Sequence, residues 1–344
     1  MTSGDHVIAA AVLPLSGRYA VQARQAERGL RAWAEVDGAE LEILDAGDDP
    51  RRAVRLLLKL ADTGRARVLF GPYGSGAMRA VAQAFRDRPE VIWNHGGAAV
   101  PRTGARVMDI LGPAHRYWAG LAAVLGEGGV PLDRVVVVHA QSEFGRQVAA
   151  GAVDSLRGAG HEPLWVGPFE ASTAPQVAAR ARMAGATAVV GCGRFEDDIA
   201  LARHLPRTTA FRPAVGLVAF GVEAARDALG DEVEGGFGPC QWLPSAHPPP
   251  PQLDVAGDYP AAQAMAAGLI ARRVIAAAGS TDADAMWDAA RALRTATFYG
   301  AFAVDALGRQ LGHQPVIVRW AHAPEGLRRV VAWEPEPGGG PPED

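Results

Sequence analysis

The segment Gly71-Pro72-Tyr73-Gly74-Ser75-Gly76 sets three glycines and a hydroxyl just ahead of a stretch with helical spacing. A turn of this kind exposes backbone N–H groups at the positive end of a helix dipole, so it suits an anion such as a carboxylate. The Ser75 hydroxyl would add one charge-assisted hydrogen bond to that anion, or else it caps the helix. A second segment, Asn94-His95-Gly96-Gly97-Ala98, closes a short apolar run. Its glycines let the backbone approach a ligand closely. His95 is either a ligand contact or a satisfied structural histidine. Tyr19, after the first apolar run, walls the same region or packs partly into the core, and Tyr73 in the first turn is a further candidate.

Catalytic patterns do not stand out. There is no H-E-x-x-H, no G-x-x-x-x-G-K-[ST] and no G-x-S-x-G, the spacings that zinc, nucleotide and nucleophilic-serine chemistry require. The glycines of 71–76 do not fit a dinucleotide fingerprint. Lys59, the only lysine, falls on an amphipathic helix and reads as solvated. Asp48 and Asp49 precede a helix and read as capping; Glu196, Asp197 and Asp198 open another, where acidic groups suit the dipole. The expectation is a binding protein, not an enzyme, with no cofactor and no metal.

The chain has 344 residues, a net charge of -4, 49% hydrophobic and 21% charged residues, which fits a folded protein of two domains. The basic residues are scattered, and no basic run marks a nucleic-acid face. Cys192 and Cys240 are too few for a disulfide scaffold and lack metal-ligand spacing. No apolar run approaches the roughly 20 residues of a membrane helix, so no membrane insertion is expected. The start, Met1-Thr2-Ser3-Gly4-Asp5-His6, lacks a charged-then-apolar leader. The location is cytoplasmic if Met1 is the native start, and extracytoplasmic if a leader has been removed.

The elements that must position these residues alternate between strand and helix. Strands are expected at 7–13, 41–46, 67–70, 91–94 and 106–111, with helices at 21–36, 53–61 and 76–85. A second series follows: strands at 134–138, 164–166, 187–190 and 215–220, helices at 145–156, 175–183 and 197–205. Pro244 to Pro251 reads as a stiff linker or loop. Helices at 261–278 and 282–294 and strands at 316–320 and 329–333 complete the chain, and 335–344 reads as a disordered tail. Alternation of this kind predicts an α/β fold of parallel sheets covered by helices, with right-handed crossovers, in two similar lobes. In such sheets ligands bind beyond the carboxyl ends of the strands.

Several segments in order resemble the type I periplasmic solute-binding proteins, in the branched-chain amino acid and amide branch. They are Leu13-Pro14-Leu15-Ser16-Gly17-Arg18-Tyr19, Asp45 to Pro50, Phe70 to Gly76, Trp93 to Ala98, Glu143-Phe144-Gly145, Gly238 to Leu243, Tyr259-Pro260-Ala261-Ala262 and Phe298-Tyr299-Gly300 with Asp305 and Gly308. The resemblance implies two Rossmann-like lobes, 1–113 with 244–312 and 114–243 with 313–334, joined by a three-strand hinge. It implies that a small amino-acid-like molecule, amide or other small carboxylate sits in the cleft and that the lobes close on it. The implied partner is an ABC permease; the alternative is a cytoplasmic sensor of the amide-responsive type.

The resemblance also implies roles for single residues. Ser75 matches a serine that holds the ligand carboxylate. Backbone groups at Gly96 would contact the ligand, and Ala98 stands where relatives carry a threonine hydroxyl. Phe144 matches a tyrosine that covers the ligand, and Phe195 matches another lining aromatic. Phe220 stands where amino-acid binders carry the acid that meets the ligand ammonium. Either Glu223, Glu196 or Asp197 takes that role, or the ligand has no ammonium.

Overall fold

The computed structural model describes residues 7–101, 104–205, 211–251 and 258–335. These form two compact units, Met1–Pro113 with Trp242–His313 and Ala114–Gln241 with Gln314–Gly339, so among the described residues the chain passes between them three times. Residues 336–344 of the expected tail lie outside the described residues.

In the first unit the run Ile-Ala-Ala-Ala-Val-Leu forms β1 (Ile8–Leu13), buried along all but its first residue, as a strand covered on both faces must be. α1 (Ala20–Asp37), β2 (Glu40–Asp45), α2 (Pro50–Thr63), β3 (Val68–Phe70), α3 (Ser75–Ala84), β4 (Val91–Asn94) and β5 (Arg106–Asp109) follow. The five strands are parallel, in the order β2-β1-β3-β4-β5. From β1 the chain steps outward to β2 and then returns to the other flank of β1 as β3. That reversal opens a crevice at the carboxyl ends of β1 and β3.

Later segments complete this unit. They are α9 (Tyr259–Ala278), α10 (Ala283–Ala292) and the hairpin of β11 (Thr295–Thr297) and β12 (Gly300–Phe302). α9 lies tightly on α1: a Cβ at Gly29 would stand 2.0 Å from the Ala261 carbonyl oxygen, and Trp33 lies against Gly268. Contrary to the sequence expectation, α9 is long and apolar enough, by length and composition, to cross a membrane. Its alanines instead fill the core of the unit, with Trp33, Phe70, Trp93 and Ile270.

The second unit begins with α4 (Leu121–Glu127), β6 (Val135–His139), α5 (Glu143–Gly158), β7 (Trp165–Pro168), α6 (Ala174–Met183), β8 (Ala188–Cys192), α7 (Phe195–His204), β9 (Ala214–Leu217), α8 (Ala224–Leu229) and β10 (Phe237–Cys240). It ends with β13 (Val316–Ala323) and β14 (Gly326–Trp333). The sheet order is β14-β13-β10-β9-β8-β6-β7. The expected parallel pairing holds from β7 to β10, whereas β13 and β14 join antiparallel, as a hairpin at one edge. The strand expected at 215–220 ends at Leu217; Val218–Gly221 turns as a 3-10 helix. Here too the strand order reverses, between β6 and β8.

Candidate functional site

The first unit brings Tyr19, Tyr73, Ser75, Gly96 and Ala98 onto the loops that follow β1, β3 and β4, beside its strand-order reversal. Each is half-buried. The Tyr19 and Tyr73 rings stand 6.0 Å apart at 56°. Gly74 lies under Tyr19 with φ +102, and a Cβ there would meet the ring at 3.2 Å, so this turn requires glycine twice over.

Two of the glycine N–H groups in this turn are spent on β4 and its loop. Gly71 N–H donates to Trp93 O at 3.0 Å and Gly74 N–H to Gly96 O at 2.9 Å. The donors left for a ligand are those of the first turn of α3, at Ser75, Gly76 and Ala77, which have no intrahelical acceptor. Gly74 occupies the N-cap position and no side chain caps the helix. The Ser75 hydroxyl is therefore not a cap; its oxygen accepts from Ala99 N–H at 3.1 Å, which leaves its proton to donate.

In the β4 loop the Gly96 N–H donates to Asn94 Oδ1 at 3.2 Å and its carbonyl accepts from Gly74 N–H at 2.9 Å. Asn94 also receives Gly97 N–H at 2.8 Å and donates to Asp109 Oδ1 at 2.7 Å, so one buried amide shapes the whole loop. Gly96 is needed for space, since a Cβ there would stand 2.7 Å from Tyr73 Cα. His95 is not at the surface: it is fully buried, its ring edge-on to Phe70 with centroids 6.3 Å apart and beside the Gly71 backbone. Burial pushes its pKa down to about 4, keeping the imidazole neutral.

In the second unit, Phe144 and Phe195 stand at the N-termini of α5 and α7, after β6 and β8 and beside that sheet's reversal. Both are half-buried. Ser142 caps α5 by accepting Gly145 N–H at 3.0 Å, and Ala140 N–H donates to Cys192 O at 3.1 Å, which ties the two loops together. Tyr117, which sequence reasoning passed over, meets Phe144 edge to face at 5.4 Å. Burial raises the Tyr117 phenol to about 12, against the pull of its hydrogen bond with Gln241.

The remaining candidates are engaged in their own unit's structure. Phe220 is a core residue, 2% exposed and packed on Gly236, because the chain leaves β9 early and turns inward at 218–221. Glu223 forms an ion pair with Arg329 at 2.9 Å. Asp197 accepts from Ala171 N–H at 2.8 Å and from Arg194 N–H at 3.4 Å. Asp198, expected as another dipole partner, is fully buried and accepts from Gly193 N–H at 2.9 Å and Ala219 N–H at 3.0 Å. Burial raises its pKa to about 7. Trp242 is core in the first unit and donates to Phe298 O at 3.3 Å.

A hollow of about 270 Å³ between α5 and edge strand β7 is lined by His139, Arg146, Val153, Asp154, Arg157 and Val166. Neither Phe144 nor Phe195 lines it, and its arginines are held by Glu143 and Glu162. Among the described residues no cluster of three metal-ligating side chains occurs.

A family model described as periplasmic binding protein matches residues 7–325. Among solved structures, the chain is similar to a leucine binding protein LivK from Thermotoga maritima MSB8, at 15% identity and TM-score 0.81, covering 96% of this chain and 99% of that one. It is also similar to a solute binding protein of an ABC transporter from R. palustris in complex with 4-hydroxybenzoate, at 14% identity and TM-score 0.81, over 95% and 96% of the two chains. A putative branched-chain amino acid ABC transporter from Rhodospirillum rubrum matches at 16% identity and TM-score 0.68, over 94% and 100%. At these identities the likeness is one of fold.

Proposed function

This chain belongs to the periplasmic binding protein family, and from that premise we propose that it is a non-enzymatic solute receptor that binds a small organic carboxylate and passes it to an ABC importer. The first turn of α3 carries this reading. Its open N–H groups at Ser75, Gly76 and Ala77 and the Ser75 hydroxyl meet at a strand-order reversal, flanked by Tyr19 and Tyr73. A carboxylate there gains charge-assisted hydrogen bonds and the favourable end of the helix dipole. In the second unit Phe144 and Phe195 hold the equivalent places on that unit's own sheet. The two units act as the two lobes of the family. Proteins similar to this one are described as binding leucine and 4-hydroxybenzoate; both molecules carry a carboxylate, the group this turn suits.

A thermal-shift screen of small carboxylates tests the reading. A ligand present at 100 times its Kd stabilises the folded chain by about 2.7 kcal/mol. A raised melting temperature with carboxylates, absent with the matching primary amides, is the expected result; no shift with any carboxylate would refute it.

A further inference from the structure

One carboxylate joins two strand-end loops of the second unit. Asp198, in the first turn of α7, is fully buried. Its Oδ1 accepts Gly193 N–H at 2.9 Å, from the loop after β8, and its Oδ2 accepts Ala219 N–H at 3.0 Å, from the turn after β9. The Val218 N–H of that turn bonds the same carboxylate. Position 193 requires glycine, since a Cβ there would stand 2.4 Å from Asp198 Oδ1 and 2.8 Å from the Phe169 ring. The loop that Asp198 grips runs into Phe195, beside this sheet's strand-order reversal.

Two effects oppose one another here. The three backbone donors favour the ionised carboxylate, whereas burial disfavours its charge. On the same helix Asp197 adds a like charge. From β8 comes the Cys192 thiol, kept neutral because burial and Asp198 push its pKa well up. The turns at 171–173 and 218–221 carry no ionisable side chain. On α6, Arg180 and Arg182 lie over the Trp165 and Phe211 rings. On α8, Arg226 and Asp227 are exposed, and Glu223 before it is held by Arg329. The balance leaves the carboxyl with a pKa of about 7.

A carboxylate only accepts; its acid form carries an O–H in place of one acceptor. The turn after β9 supplies two N–H groups and the β8 loop one. Protonation therefore costs least on the Gly193 side, where an O–H then faces an N–H. We propose that Asp198 is a proton-operated latch within the second unit: ionised, it holds the Gly193–Phe195 loop against the turn after β9, and protonated, it releases that loop while keeping the turn. Release is local, because the neutral acid is easier to keep buried than the ion. The latch does not depend on which solute the chain binds.

Amide hydrogen exchange and the Asp198 carboxyl carbon signal, followed by NMR on the full chain at about pH 5 and about pH 9, test this. In the wild type the Gly193 amide should be roughly 10-fold or more less protected at the lower pH, after correction for intrinsic exchange. Ala219 protection should hold, and the carboxyl signal should titrate over the same range. Asp198→Asn, whose side chain presents an NH2 in place of one oxygen, should show the low Gly193 protection at both pH values. A carboxyl that does not titrate, constant Gly193 protection, or loss at Ala219 instead overturns the latch. So does a pH-dependent loss that persists in Asp198→Asn. If that variant does not fold, the wild-type measurements decide alone.

Discussion

Arg329 and Glu223 lie 106 positions apart in sequence, and the guanidinium reaches the carboxylate through both Nε, at 3.0 Å, and Nη2, at 2.9 Å. Nη1 donates to the Gly221 carbonyl and, at 3.7 Å, toward Cys240 Sγ. The Arg329 side chain is 1% exposed and that of Glu223 38%. β14 thereby fastens the turn after β9 to the end of β10, and the acid at 223 is spent on structure.

Arg329→Met should therefore destabilise the chain by about 1–3 kcal/mol, because the buried Gly221 carbonyl loses its donor while Glu223, more than a third exposed, can turn to water. Urea unfolding measures it. A loss below about 1 kcal/mol would mean that the pair holds nothing in place.

Asp198 gives stability a pH dependence of uncommon sign. Burial holds its folded pKa at about 7, above the ordinary carboxylate value of 3.8. Between those values the folded chain binds the extra proton, so the stability this group contributes is present at low pH and lost as pH rises toward 7. Between pH 5 and pH 8 the wild-type chain should lose roughly 2–3 kcal/mol relative to Asp198→Asn. Parallel stability curves for the two proteins would contradict this.

His95 works in the opposite direction. Burial holds its folded pKa at about 4, below the ordinary histidine value of 6.5. The unfolded chain takes up the proton first as pH falls through 6.5, so stability declines from there to about pH 4. Replacing the imidazole with a ring that cannot protonate, as in His95→Phe, should remove that acid limb, worth roughly 3 kcal/mol at pH 4. Guanidinium unfolding at pH 7 and pH 4.5 separates this from any packing change, which would shift both values equally.

Ser75→Ala should weaken carboxylate binding by about 1.5–3 kcal/mol, the range for a hydrogen bond to a charged group. It should not lower stability through a lost cap, because the hydroxyl accepts from Ala99 instead. Titration calorimetry alongside thermal unfolding tells these apart; unchanged affinity would remove Ser75 from the site.

The alternating architecture was legible because strands such as β1 are continuous apolar runs and helices such as α2 start at Pro50 and end before Gly64. The loops after β1, β3 and β4 were legible as ligand candidates because glycine and hydroxyl residues mark them locally. What the sequence hid is non-local. Nothing near Asp198 distinguishes it from Asp197, yet Asp197 holds the Ala171 backbone and Asp198 the end of β9. Phe220 read as strand because Val215 to Phe220 is apolar throughout, and an apolar run does not say where a strand bends into the core. The pairing of Glu223 with Arg329 depends on the edge hairpin, whose antiparallel addition no periodicity announces. Tyr117 went unnoticed because its contact with Phe144 crosses two helices and a strand.

Backbone amide NMR during a carboxylate titration tests most directly where the anion is held. The Ser75, Gly76 and Ala77 amide signals should move as the acid is added and saturate at the calorimetric Kd, while those of Gly71 and Gly74, already bonded to carbonyls, move less. Saturable binding that leaves the first turn of α3 unperturbed would contradict the account.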